Sequence, residues 1–96
     1  MATLSKDDVT QRIKSMEGWS HEGNALHKKY TLKSFVLAIQ FVNNLAEEAE
    51  RASHHPDITI NYNVVGISLS THSEGGVTEK DFAFAEKIDR IPRPLS

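Results

Sequence analysis

The chain has no cysteine, which excludes a disulfide framework, a thiolate zinc site and a cysteine nucleophile, and is compatible with a reducing compartment. Neither sign of charge predominates. Eleven Lys and Arg stand against 13 Asp and Glu, with no basic run to track a phosphate backbone, so direct nucleic-acid binding is not expected. No segment approaches the ~20 apolar residues of a membrane span, and Met1 to Asp8 lacks an apolar signal core. A soluble, cytoplasmic protein without membrane partners is therefore the default expectation. No repeat, low-complexity stretch or linker breaks the chain, and its 96 residues predict one domain, 1–96. A domain of this size buries only about two thirds of its unfolded surface, so oligomerisation would help it.

What the chain does have is periodicity. Leu4-Ser5-Lys6-Asp7-Asp8-Val9 reads as a helix start, with Ser5 as cap, two acids at the positive end of the dipole and Leu4 stapled to Val9. Val9, Ile13 and Met16 mark its buried side, and Gly18 ends it. Gly23-Asn24 then separates Trp19-Ser20-His21 from the alternating Leu26, Lys28, Tyr30 and Leu32, which predicts a first hairpin. Ser34 opens the longest helix, from about Phe35 to Ala52. Its stripe of Phe35, Ala38, Ile39, Val42, Leu45, Ala46 and Ala49 is wide enough to cover a sheet. Leu37 and Phe41 fall beside that stripe, either widening the core contact or forming a subunit interface.

Two further alternating segments, Ile58 to Tyr62 and Ile67 to Thr71, predict a second hairpin turning at Asn63-Val64. Tyr62 then faces Val65, Ile60 faces Ile67 and Ile58 faces Leu69. Carried on, this register sets His55 against His72. After Gly75-Gly76, Thr78 caps a last helix, Asp81 reaches back, and Val77 staples to Phe82. Phe82, Ala85 and Ile88 point inward until about Arg90, and Pro92 and Pro94 close the helix off. The order α-β-β-α-β-β-α predicts an α+β fold, a four-stranded antiparallel sheet with three helices packed on one face.

Three of the five histidines fall in Glu50 to Pro56 and in Ser70-Thr71-His72-Ser73. A histidine at a helix C-terminus before a proline has an ordinary reading, a ring favoured by the dipole and a stop signal. Three of them brought together by one register favour a functional reading. Glu50 lies four residues before His54, within reach across one helical turn. Metal binding is weakly supported, because adjacent histidines diverge and Pro56 pushes His55 toward extended geometry. Nucleophilic catalysis is weaker still, since Ser70 and Ser73 lie near His72 without a GxSxG elbow. Acid–base work on a small polar heterocycle fits best, one imidazole serving as acid while its neighbour serves as base.

The acidic residue, His-His-Pro, aromatic, His and Asp of this region, met by Glu50, His54, His55, Pro56, Tyr62, His72 and Asp81, resemble the pattern of the pterin-4a-carbinolamine dehydratase family. Gly18-Trp19, the Phe35-to-Phe41 helix, Gly75-Gly76 and the closing helix resemble it as well. The resemblance implies dehydration of 4a-hydroxytetrahydropterin to quinonoid dihydropterin, regenerating the cofactor of aromatic amino-acid hydroxylases with no metal or cofactor required. It implies that His54, His55 and His72 are catalytic with Glu50 in support, and that Ser53, His54, His55, Ser70, Thr71, His72 and Ser73 hold the pterin. His55 and His72 would flank the ring, with His54 polarised by Glu50. Ser53 stands where relatives carry Asp or Asn. Asp81 is read as a cap, and Trp19 and Tyr62 as core. A homotetramer is implied, and animal members also serve as dimerisation cofactors of a homeodomain transcription factor. Such a partner, with a nuclear location in a eukaryote, is the rival role, and Leu37 and Phe41 would mark its docking side.

Overall fold

The computed structural model describes residues 3–93, so Pro94 lies outside the described residues. Helix α1 spans Lys6–Ile13, strands β1 and β2 span Ser20–Glu22 and Ala25–Thr31, and α2 spans Phe35–Ala52. Strands β3 and β4 follow at Asp57–Asn61 and Val64–Leu69, then a 3-10 turn at His72–Glu74 and α3 at Glu79–Arg90. The order α-β-β-α-β-β-α is as the periodicity predicts. The four strands form one antiparallel sheet in the order β1-β2-β4-β3.

Local chemistry explains the boundaries. The Ser5 hydroxyl accepts the Asp8 N–H at 3.1 Å, and the Ser34 hydroxyl accepts the Leu37 N–H at 3.2 Å, so each helix begins where a side chain satisfies an orphan donor. Thr78 and Asp81 form a reciprocal capping box on α3, and Val77 and Phe82 on either side of it are both buried. The Leu4 N–H donates to the Val77 carbonyl at 2.8 Å, tying the start of the chain to the entrance of α3.

Alternation puts Leu26, Tyr30, Val65, Ile67 and Leu69 on the inner face of the sheet, where all five are buried. Against them α2 presents Leu37, Ala38, Phe41, Leu45 and Ala49, and the Tyr30 and Phe41 rings lie 4.9 Å apart between centroids. This corrects the stripe read from periodicity. Leu37 and Phe41 are core, whereas Phe35 and Val36 are 48% and 62% exposed. Ile39 and Val42 are half-buried, and Ala46 is exposed. The helix carries two apolar rows, and spacing alone does not say which one faces the sheet. The row 37, 41, 45, 49 offers Leu, Phe and Leu to the sheet, and it wins.

The second hairpin also differs. Asn61 pairs with Val64, Ile60 with Val65 and Ile58 with Ile67, so the turn is Tyr62-Asn63 and the register is shifted by two from the predicted one. The shift preserves parity and therefore keeps apolar opposite apolar. Tyr62 takes the turn's positive φ of 55° and is 69% exposed, so it is not a core residue. Trp19 is buried, as the core reading expects. No helix among the described residues is long and apolar enough to cross a membrane.

Candidate functional site

The end of α2 decides where its histidines point. Ser53 adopts the left-handed conformation, φ 50° and ψ 40°, with its N–H bonded to the Glu50 carbonyl at 3.2 Å and the His54 N–H bonded to the Ala49 carbonyl at 3.1 Å. These two bonds make a Schellman motif, and a non-glycine residue in it costs roughly 1 kcal/mol. The left-handed residue reverses the chain, so His54 turns inward and His55 outward. Glu50 is consequently not the partner of His54. Its carboxylate meets His55 Nε2 at 2.5 Å on the surface, with both side chains mostly exposed. The i to i+4 reading assumed that the helix continues through His54, and the reversal at Ser53 breaks that assumption.

The partner of His54 is Asp81. His54 is 9% and Asp81 0% exposed, and Nε2 lies 2.5 Å from Oδ1. Oδ2 of the same carboxylate accepts the Thr71 hydroxyl at 2.9 Å and the Thr78 N–H at 2.9 Å. The Thr71 and Thr78 hydroxyls are 2.7 Å apart. The His54 ring meets Phe84 edge-on, 6.1 Å between centroids. Among the described residues no buried side-chain polar atom lacks a hydrogen-bond partner, as a low-dielectric polar cluster requires. Asp81, read from sequence as a cap, is a cap and the anchor of a histidine at once.

His72 opens the exposed 3-10 turn directly after Thr71. The turn is held by the Thr71 N–H to the Gly76 carbonyl, 2.8 Å, and by the Gly75 N–H to the Thr71 carbonyl, 3.0 Å. Gly75 supplies its positive φ of 77°. His72 thus lies one residue from the hydroxyl that shares Asp81 with His54. The observed register, continued past the strand ends, sets position 55 opposite Ser70, so His55 and His72 are not a cross-strand pair. Among the described residues no three His, Asp or Glu side chains group closely enough to hold a metal ion.

A cavity of about 190 Å³ adjoins His54, lined also by Ala52, Lys80, Ala83, Phe84 and Lys87. A larger hollow of about 500 Å³ lies over the helix-free face of the sheet around Gly66, but it contains no buried acid–base pair. The cavity at His54 combines an apolar floor with one anchored imidazole and two ammonium groups, and it is the better candidate for chemistry.

At the other end of α3, sequence reasoning missed a second carboxylate cluster. Asp89 accepts Trp19 Nε1–H at 2.9 Å, Lys28 Nζ–H at 2.7 Å and the Tyr30 hydroxyl. Burial pushes the Asp89 carboxyl up, but the hydrogen bonds from Lys28, Tyr30 and Trp19 outweigh it and hold the group below its ordinary value. Burial, reinforced by the bond to Asp89, pushes the Tyr30 phenol far above its ordinary value. The signal was present as polar Lys28 in an apolar alternation, beside a lone Trp.

Comparison with known proteins agrees with this architecture. The family model for pterin 4 alpha carbinolamine dehydratase matches residues 2–91. A Sulfolobus acidocaldarius protein named provisionally as a pterin-4-alpha-carbinolamine dehydratase is 46% identical over 92% of this chain and 97% of its own. A Nostoc punctiforme protein of the same name is 48% identical over 92% and 95%. Among solved structures, a transcriptional coactivator/pterin dehydratase from Brucella melitensis superposes with a TM-score of 0.87 at 33% identity, covering 93% of this chain and 97% of its own. A pterin dehydratase-like protein described as a RuBisCO assembly factor in the alpha-carboxysome gives 0.69 at 25% identity, over 84% and 95%.

Proposed function

The chain belongs to the pterin 4 alpha carbinolamine dehydratase family, and from that premise we propose that it dehydrates a 4a-hydroxytetrahydropterin to the quinonoid dihydropterin, recycling a tetrahydrobiopterin-type cofactor by histidine acid–base catalysis. The observation that carries the reading is the buried His54–Asp81 pair at 2.5 Å beside a small cavity. In this reaction the C4a hydroxyl leaves as water with a proton donated to it, and the N5 proton is taken up by a base. An imidazole exchanges protons near neutral pH in both directions. His54 is the ring held in fixed orientation, while His55, tethered to Glu50 and open to solvent, returns protons to water. His72, the backbone from Ser70 to Ser73, and Ser53 hold the part of the pterin that extends beyond the cavity. The purified protein should accelerate the decay of 4a-hydroxytetrahydropterin above the buffer rate, and a His54/His72 double alanine variant should not. Equal rates for the two proteins would sink the assignment.

A protein-binding role has its own supporting observation, the α2 row of exposed Phe35, Val36 and Ala46 with half-buried Ile39 and Val42. Burying such a row in a second copy would complete the small core, and this row, rather than Leu37 and Phe41, is the proposed oligomer interface and the docking side for a transcription-factor partner. Light scattering should show a dimer or tetramer that Phe35→Glu dissociates; a monomeric wild-type protein would contradict this.

A further inference from the structure

We infer that Thr71 and Thr78 set the tautomer of His54 through Asp81, so that Nε2 carries the hydrogen and Nδ1 is the nitrogen free to exchange protons with a substrate. The inference follows from counting hydrogens along a chain with fixed ends. One end is the Lys80 backbone N–H, which can only donate and does so to Thr78 Oγ1 at 3.2 Å. The other is the Asp81 carboxylate, which when ionised can only accept.

Each hydroxyl between them has one hydrogen to give. Thr71 Oγ1 lies 2.9 Å from Asp81 Oδ2, so its hydrogen goes there. Thr71 must then accept at its 2.7 Å contact with Thr78, and Thr78 donates. With the Thr78 N–H also on Oδ2 at 2.9 Å, that oxygen already has two donors. Oδ1, 2.5 Å from His54 Nε2, remains for the imidazole.

The rival arrangement puts the shared hydrogen on Oδ1 and leaves the ring with Nδ1–H. Two features oppose it. An imidazole is a stronger base than a carboxylate by about 2–3 pK units in water, and an Oδ2 that accepts from both the Thr71 hydroxyl and the Thr78 N–H is placed as an acceptor-only carboxylate oxygen. The ionisable side chains lining the cavity beside His54 are Lys80 and Lys87, neither of which can accept a hydrogen bond from the ring.

Thr71 is therefore a positioning residue. It belongs to the segment that carries His72, so anything that displaces the 72–76 turn also moves the donor on Asp81. The tautomer stands on geometry alone, whereas its catalytic use rests on the dehydratase reading. The two are tested separately.

Long-range ¹H–¹⁵N correlation of the labelled full chain, at a pH about two units above the ordinary imidazole value, reads the tautomer without substrate. His54 should show a protonated Nε2 and a bare Nδ1. A protonated Nδ1 in the wild-type protein would overturn the inference whether or not any variant folds. Thr71→Val, which removes one of the two donors on Oδ2, should shift the His54 ring ¹⁵N signals and lower kcat about tenfold with KM little changed, and Thr71→Ser should restore both. A Thr71→Val protein with the wild-type His54 spectrum would remove Thr71 from the role. Absence of dehydration by a wild-type protein showing Nε2–H would defeat the dehydratase reading and leave the tautomer standing.

Discussion

Helix α3 carries a carboxylate near each end, and the two are built for different work. Asp81 is fully buried, and its partners are two threonines and an imidazole that opens on a cavity. Asp89 is partly exposed and meets a lysine, a tyrosine and a tryptophan. Hydrogen bonds saturate both groups, so saturation does not separate a chemical site from a structural one. The difference lies in the partner. The ordinary values of a lysine and a tyrosine lie well above neutrality, whereas the ordinary imidazole value lies near it. The Asp89 end is a clamp that fastens α3 to β2 and to Trp19 just ahead of β1. The Asp81 end joins a helix cap, a turn and a titratable ring.

Substitution at Asp81 should have the largest effect. Asp81→Ala removes one half of the capping box and, with it, charged hydrogen bonds of about 1.5–3 kcal/mol each from a buried site. It also frees the His54 ring. Thermal melts and turnover should fall together, and a variant with normal turnover would dissolve the distinction between the two ends. Asp89→Ala should cost less, about 1–2 kcal/mol because its surroundings admit solvent, and should lower the melting temperature by about 4–8 °C for each kcal/mol in a domain of this size. Its kcat should remain close to wild type. Loss of kcat in that variant at a temperature where it is folded would show that the clamp is not merely structural.

Acid and alkali sharpen the same contrast. The folded state holds Asp89 below its ordinary value of 3.8, so between the two values the unfolded chain binds more protons. The contribution of Asp89 is complete above the unfolded value and fades as pH falls through the folded one. Tyr30 runs the other way. Its folded value is raised above 10, so its contribution is complete below pH 10 and declines as pH rises beyond it, when only the unfolded chain gives up the proton. Denaturation curves of Asp89→Asn should be flatter at both extremes than those of the wild type. The smallest effect belongs to Glu50→Gln. The Glu50–His55 pair is exposed on both sides, and screening leaves such pairs little weight, so the melting temperature should not move measurably. A clear drop would place His55 in a less open setting.

Much of this architecture was legible in the sequence, because caps and alternation are local. Ser5, Ser34 and Thr78 mark three helix starts, and Gly23-Asn24 marks the first hairpin turn. The errors share one cause, which is that spacing gives relative phase and not absolute placement. Two apolar rows on α2 have the same period, so spacing alone leaves Leu37 and Phe41 at its margin. The second hairpin kept its parity while its turn moved to Tyr62-Asn63. At the site the missing information was a single backbone angle. Nothing in the string marks Ser53 as left-handed, and that residue turns His54 inward to Asp81 and leaves Glu50 to His55. The Asp81 pairing spans 27 residues and the Asp89 cluster up to 70, separations that local patterning does not reach.

The central claim is that the ring anchored by Asp81 moves the protons. Its most direct measurement compares the dehydration rates of His54→Ala and Asp89→Ala proteins, each at a temperature where it is folded. His54→Ala should lose about 10²–10⁴-fold in kcat/KM while Asp89→Ala stays near wild type. A His54→Ala protein that dehydrates the substrate at the wild-type rate would contradict it.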